Sequence, residues 1–89
     1  MELEQLRVFC AAAERRSFSA AAAELYISHS TVSRAVAELE RELGAELFER
    51  SPRGAALTPA GRELLSGARR LLSAEAELRE RVRETGGEI

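Results

Sequence analysis

The sequence predicts an all-α fold that carries one small β-hairpin and ends in a long helix. Three observations lead there. Apolar residues recur at three- and four-residue steps through most of the chain, the period of amphipathic helices. The pattern lapses around Ser51-Pro52-Arg53-Gly54, a turn signal between two short stretches that suit extended backbone. Periodicity then returns at Pro59 and runs to about Glu84, further than so small a domain can bury.

The first helix is predicted from Leu3 to about Arg15, with Leu3, Leu6, Phe9 or Cys10, and Ala13 on one face. Arg15, Arg16 and Ser17 break it. Ser19 reads as the N-cap of a short second helix, Ala20 to about Leu25, whose alanines allow a neighbouring helix to approach closely. Tyr26 and Ile27 form the turn. Ser28 reads as the N-cap of a third helix, His29 to about Leu43, which Gly44 terminates. Val32, Val36, Leu39 and Leu43 give this helix one buried stripe. Ser30, Ser33, Arg34, Ala37 and Arg41 fall on the opposite face.

Residues 47–50 and 55–58 read as the two strands of a wing. Thr58 is an N-cap candidate and Pro59 suits the first helical position. Along the last helix, Leu64, Ala68, Leu71, Glu75, Leu78 and Val82 step in a heptad-like seam that Glu75 interrupts, and Leu65 and Leu72 widen it. Leu64, Leu65, Ala68, Leu71, Leu72, Leu78 and Val82 are therefore the candidate dimer interface. Folding of the seam back onto its own domain is the competing reading. The organisation is a winged helix-turn-helix over residues 1–58, a linker and dimerisation helix over 59–85, and a hinge or tail over 86–89.

Composition narrows the function. The chain has 89 residues, 45% of them hydrophobic, and its few aromatics are Phe9, Phe18, Tyr26 and Phe48. No apolar run is long enough to span a bilayer, and the N-terminus is acidic where a signal peptide is basic, so a cytoplasmic location is expected. The single Cys10 reads as a small core residue. One histidine without a second His or Cys is no metal site, and no cofactor is expected. No carboxylate pair, nucleophile–base set or phosphate-cradling loop points to an enzyme. The net charge of −2 is acidic for a DNA-binding domain, but its distribution is uneven. All 13 basic residues are arginines, and the stretches from Ser28 to Ala37 and from Arg50 to Arg62 contain arginine and no acid.

A helix-turn-helix leads into the major groove with the start of its second helix. Short hydrogen-bonding side chains are needed there, and His29, Ser30, Thr31, Ser33 and Arg34 supply them. Arg53, at the wing tip, is placed for a minor groove. The cap serines Ser19 and Ser28 complete the candidate DNA-facing set. Each residue also has a plainer reading. Ser28, Ser30 and Thr31 could only cap a helix, His29 could be solvated, Arg34 could pair with Glu38, and Arg53-Gly54 could be only a turn.

The order and spacing of these elements resemble the N-terminal domain of LysR-type bacterial transcriptional regulators over nearly the whole chain. The matching segments are residues 3–9, 17–22, 27–34, 39–44, 47–50 and 57–61. The resemblance implies sequence-specific binding to double-stranded DNA, with the linker helix paired antiparallel to its mate in a homodimer. It places base and phosphate contacts on His29, Ser30, Thr31, Ser33 and Arg34, with Arg53 in the wing. Members commonly have Gln where this chain has His29, and an imidazole lacks an amide's bidentate grip on adenine. Members often have a polar residue where this chain has Ala35. They normally continue into an effector-binding domain, through which small-molecule sensing and tetramers arise. The rival hypothesis, motivated by the acidic balance, is a protein-interaction module that uses the same scaffold without touching DNA.

Overall fold

The computed structural model describes residues 1–87. The order is α1 (Leu3–Arg15), α2 (Phe18–Leu25), α3 (His29–Leu43), β1 (Phe48–Ser51), β2 (Gly54–Leu57) and α4 (Pro59–Gly86). This is the all-α fold with a β-wing and long final helix that the periodicities predict. Among the described residues, no helix is long and apolar enough to cross a membrane.

Local chemistry explains most boundaries. Glu2 N–H donates to the Gln5 side chain at 2.9 Å, closing the first turn of α1. The Ser28 side chain accepts from Thr31 N–H at 3.1 Å, and Gly44 stops α3 in the left-handed region at φ 68°. The Thr58 side chain accepts from Gly61 N–H at 3.0 Å ahead of Pro59. One cap differs from expectation. Ser17, not Ser19, begins α2: its backbone is extended and its hydroxyl accepts from Ala20 N–H at 3.0 Å. The α1–α2 turn can be this short because Arg16 adopts the left-handed conformation at φ 55°. Phe18 thereby becomes the first helical residue and turns its ring into the core, while Ser19 is exposed on the first turn.

The core joins α1, α2, α3 and the hairpin through Leu6, Phe9, Ala21, Val32, Val36, Leu39, Leu47 and Ala55. Phe48 adds contacts to Phe9 at 5.4 Å and Phe18 at 5.1 Å between ring centroids. Cys10 is buried among these residues. Leu43 departs from the predicted stripe and is 43% exposed. The end of α3 runs beside the start of the chain, through Glu38 to Gln5 and Glu42 to the Met1 amine, so little chain remains to cover it.

The hairpin is antiparallel, pairing Phe48 with Leu57 and Ser51 with Gly54. It is tied to the α1–α2 turn by Ala55 N–H donating to Arg16 C=O at 3.2 Å. A Cβ on Gly54 would lie 2.7 Å from that carbonyl oxygen, so the close approach needs glycine.

The first half of α4 lies against the body. Ala68 is fully buried, and Leu64, Leu65 and Leu72 are partly buried against the same core. These four belong at least in part to their own domain, and Ala68 has no surface left for a partner. Leu71, Leu78 and Val82 are exposed. Two ion pairs hold α4 to α1: Arg69 with Glu14 and Arg7 with Glu75, each at 3.2 Å. Glu75 also pairs with Arg79 on its own helix. The helix runs to Gly86, slightly past the expected end, and Gly87 caps it; the rest of the predicted tail lies outside the described residues.

Candidate nucleic-acid interface

The start of α3 presents one row of polar side chains. His29, Ser30 and Arg34 are exposed, and Thr31 and Ser33 are half-buried. Val32, Val36 and Leu39 anchor the other side of the helix, so this row cannot turn inward. The Ser28 hydroxyl lies 2.7 Å from the Thr31 hydroxyl and 3.1 Å from that of Ser30. Ser28 is therefore a cap as well as a candidate contact, and its hydroxyl cluster fixes the first turn. Ser33 Oγ lies 3.5 Å from His29 Nδ1, a long contact that leaves both groups able to bond elsewhere.

Arg34 makes no ion pair among the described residues. The plausible i,i+4 partner, Glu38, instead accepts from Gln5 Nε2 at 2.8 Å. Arg53 sits on the exposed hairpin turn, where its N–H donates to the Ser51 hydroxyl at 3.2 Å and its side chain has no acidic partner among the described residues. Several acids are engaged elsewhere: Glu4 with Arg7, Glu24 with Arg15, Glu42 with the Met1 amine, and Glu40 with the Leu47 amide. Glu40 and Glu42 lie on the far half of α3, and engagement of these acids away from its first turns reconciles an acidic chain with a locally cationic face.

A groove of about 260 Å³ connects the start of α3 to the wing. It brings together Ser19 and His29 from the predicted set, with Ser17, Arg50 and Ser51 beside them. Its lining contains no acidic residue. Arg50 is the residue that sequence reasoning missed. Its guanidinium carbon lies 4.2 Å from the centroid of the Phe18 ring. The available signal was strand alternation, which places Arg50 on the same face of β1 as Phe48.

None of the remaining candidates lines the groove: Leu71, Leu78 and Val82 are exposed on α4, and Leu64, Leu65, Ala68 and Leu72 pack against the core. Among the described residues, no cluster of His, Cys, Asp or Glu could hold a metal ion.

The family model described as "Bacterial regulatory helix-turn-helix protein, lysR family" matches residues 3–62. The regulator TfdS of Cupriavidus pinatubonensis is 54% identical over 72 residues, 81% of this chain and 24% of TfdS. ClcR of Pseudomonas putida is 47% identical over 90 residues, 100% of this chain and 31% of ClcR. Both are described as HTH-type transcriptional regulators, and this chain spans about a quarter to a third of their length. The crystal structure of a CbnR_DBD–DNA complex superposes with a TM-score of 0.93 at 41% identity, covering 97% of this chain and 99% of that one. That of a BenM_DBD/catB site 1 DNA complex gives 0.95 at 36% identity, covering 100% of both. With this winged helix-turn-helix and a family match across most of its length, the chain belongs to the lysR family of bacterial regulatory helix-turn-helix proteins.

Proposed function

We propose that this chain is the DNA-reading part of a cytoplasmic transcription regulator and binds duplex DNA sequence-specifically as a homodimer. The observation that carries the reading is the placement of the start of α3 and the wing on one acid-free groove. Arg34 and Arg53, both without an ion-pair partner among the described residues, flank it in sequence on α3 and the wing. In this reading His29, Ser30, Thr31, Ser33 and Arg34 face base edges and phosphates of the major groove. Arg53 reaches toward the minor groove, and Ser19 and Ser28 face the backbone. The relatives' DNA complexes, CbnR_DBD and BenM_DBD, support this assignment.

Dimerisation is assigned to α4. Leu71, Leu78 and Val82 are 48%, 56% and 62% exposed and follow the heptad-like spacing. Leu64, Leu65 and Leu72, already partly covered by their own core, would border the contact. The charge pattern favours an antiparallel pair. Residues 59–72 carry three arginines against one glutamate, whereas residues 73–86 carry four glutamates against three arginines. Antiparallel packing brings the basic half of one helix to the acidic half of the other. Small-molecule sensing and tetramer formation are attributed to none of these residues.

The test is titration of duplexes selected from a random library, at several salt concentrations. We expect inverted half-sites and a steep salt dependence, with weaker binding after Arg34→Ala or Arg53→Ala. Equal binding to every duplex would overturn specificity. A folded dimer that binds no duplex even at low salt would instead support a protein-interaction module.

A further inference from the structure

Arg50 is an arginine held in place without a carboxylate. Phe48 and Arg50 alternate onto one face of β1, and both meet Phe18 at the start of α2. The Phe18 ring is itself fixed, since it is buried and packs edge-on against Phe48 at 76°. An aromatic face at 4.2 Å orients a guanidinium while leaving its N–H groups unconsumed. Among the described residues, the Arg50 side chain has no ion pair and no hydrogen bond. Its neighbour Glu49 alternates to the other face of the strand.

The surroundings suit an anion. Arg50 shares its groove with Ser17, Ser19, His29 and Ser51, and with no acid. Phe18 and Ser19 are the first residues of α2, and their amides have no partner within that helix. The groove also lies between the start of α3 and the wing. On a duplex, the feature that separates a major groove from the adjacent minor groove is one sugar-phosphate strand.

We infer that this groove seats a backbone phosphate of that strand, with Arg50 as its cation and the Phe18 ring as the support that aims it. The inference rests on the DNA-binding reading and adds a contact that carries affinity without base preference. Arg50 would lock α3 and the wing on either side of one strand, fixing the register in which both meet their grooves.

The experiment uses the full chain and a duplex selected from a random library, alongside a scrambled one. Arg50→Ala should weaken binding to both duplexes roughly tenfold, as expected for loss of one charged hydrogen-bonded contact. The slope of log affinity against log salt should fall by about 0.9, one phosphate's share. Arg50→Lys should retain the slope but bind less tightly, because an ammonium lacks the stacked planar group. Methylphosphonates, placed singly along a half-site, should identify one backbone position where neutralisation weakens the unaltered protein but not Arg50→Ala. An unchanged salt slope, or a change in base preference, would overturn the assignment while leaving DNA binding intact. If the unaltered chain binds no duplex, the DNA-binding reading falls and this inference with it. Should Arg50→Ala lower the melting temperature, Arg50→Lys and the methylphosphonate scan carry the decision.

Discussion

Of the helices that end on left-handed residues, α2 and α3 do so with opposite chemistry. Tyr26 closes α2 at φ 58° with 95% of its surface exposed, and Gly44 closes α3 at φ 68° with no atom within 4 Å of where a Cβ would stand. Neither position involves packing, so exchange of side chains there isolates the backbone term. Holding a non-glycine residue in this region costs about 1–2 kcal/mol. Glycine regains part of that difference in the unfolded chain, roughly 0.5–1 kcal/mol. Tyr26→Gly should therefore stabilise the fold by about 0.5–1 kcal/mol, and Gly44→Ala should destabilise it by a similar amount. For a domain of this size, the melting shifts are about 2–8 °C, upward for the first and downward for the second. Thermal and urea unfolding followed by circular dichroism would read both, at one fixed protein concentration because the proposed dimer would link stability to concentration. A loss of stability in Tyr26→Gly would refute the reasoning, since it would mean that the exposed ring contributes more than its conformation costs.

Further outcomes follow at Gly61, Cys10 and along α4. A Cβ at Gly61 would lie 2.2 Å from Leu47 C=O and 2.8 Å from Leu57 Cδ2, so Gly61→Ala should lose about 2 kcal/mol or more in urea unfolding; an unchanged midpoint would contradict the packing of α4 on the hairpin. The Cys10 thiol is pushed up chiefly by burial and further by Glu14, so alkylation at neutral pH should be slow in the folded chain and fast in denaturant. Because its folded value is raised, the thiol's stabilising contribution is complete below the unfolded pKa and is lost as pH rises through the folded one, a direction that alkaline melting curves can check. Leu78→Glu should shift sedimentation toward monomer without unfolding the domain, whereas Ala68→Glu should unfold it, because Leu78 is 56% exposed and Ala68 fully buried. Sedimentation of Leu78→Glu as an unchanged dimer would remove the outer half of α4 from the interface.

Features decided by neighbouring residues were legible in the chain. Ser28 and Gly44 bound α3 as local capping chemistry requires, and Thr58-Pro59 starts α4. Features decided by distant contacts were not. Ser17 and Ser19 are both capable caps, and the choice between them goes with burial of Phe18 against Phe48, far along the chain. Arg50 was overlooked for the same reason, since its partner is that same distant ring. The heptad spacing on α4 identified an apolar stripe but not its owner. Ala68 goes to the chain's own core and Leu78 does not, because the body reaches only as far as Glu75. Periodicity describes one surface of a helix and carries no information about how long its neighbour is.

The attachment of α4 near Glu75 makes the rest of that helix a lever. From Glu75 to Gly86 it continues as unbroken helix, a rigid arm of about 17 Å at 1.5 Å per residue. A tilt of about 10° at the attachment moves the far end by roughly 3 Å. Arg7 and Glu14 on α1 thus govern, through Glu75 and Arg69, a position that neither of them touches. Any body joined to that end inherits the tilt multiplied by the arm, so small repacking beneath Ala68 becomes large displacement at the tip.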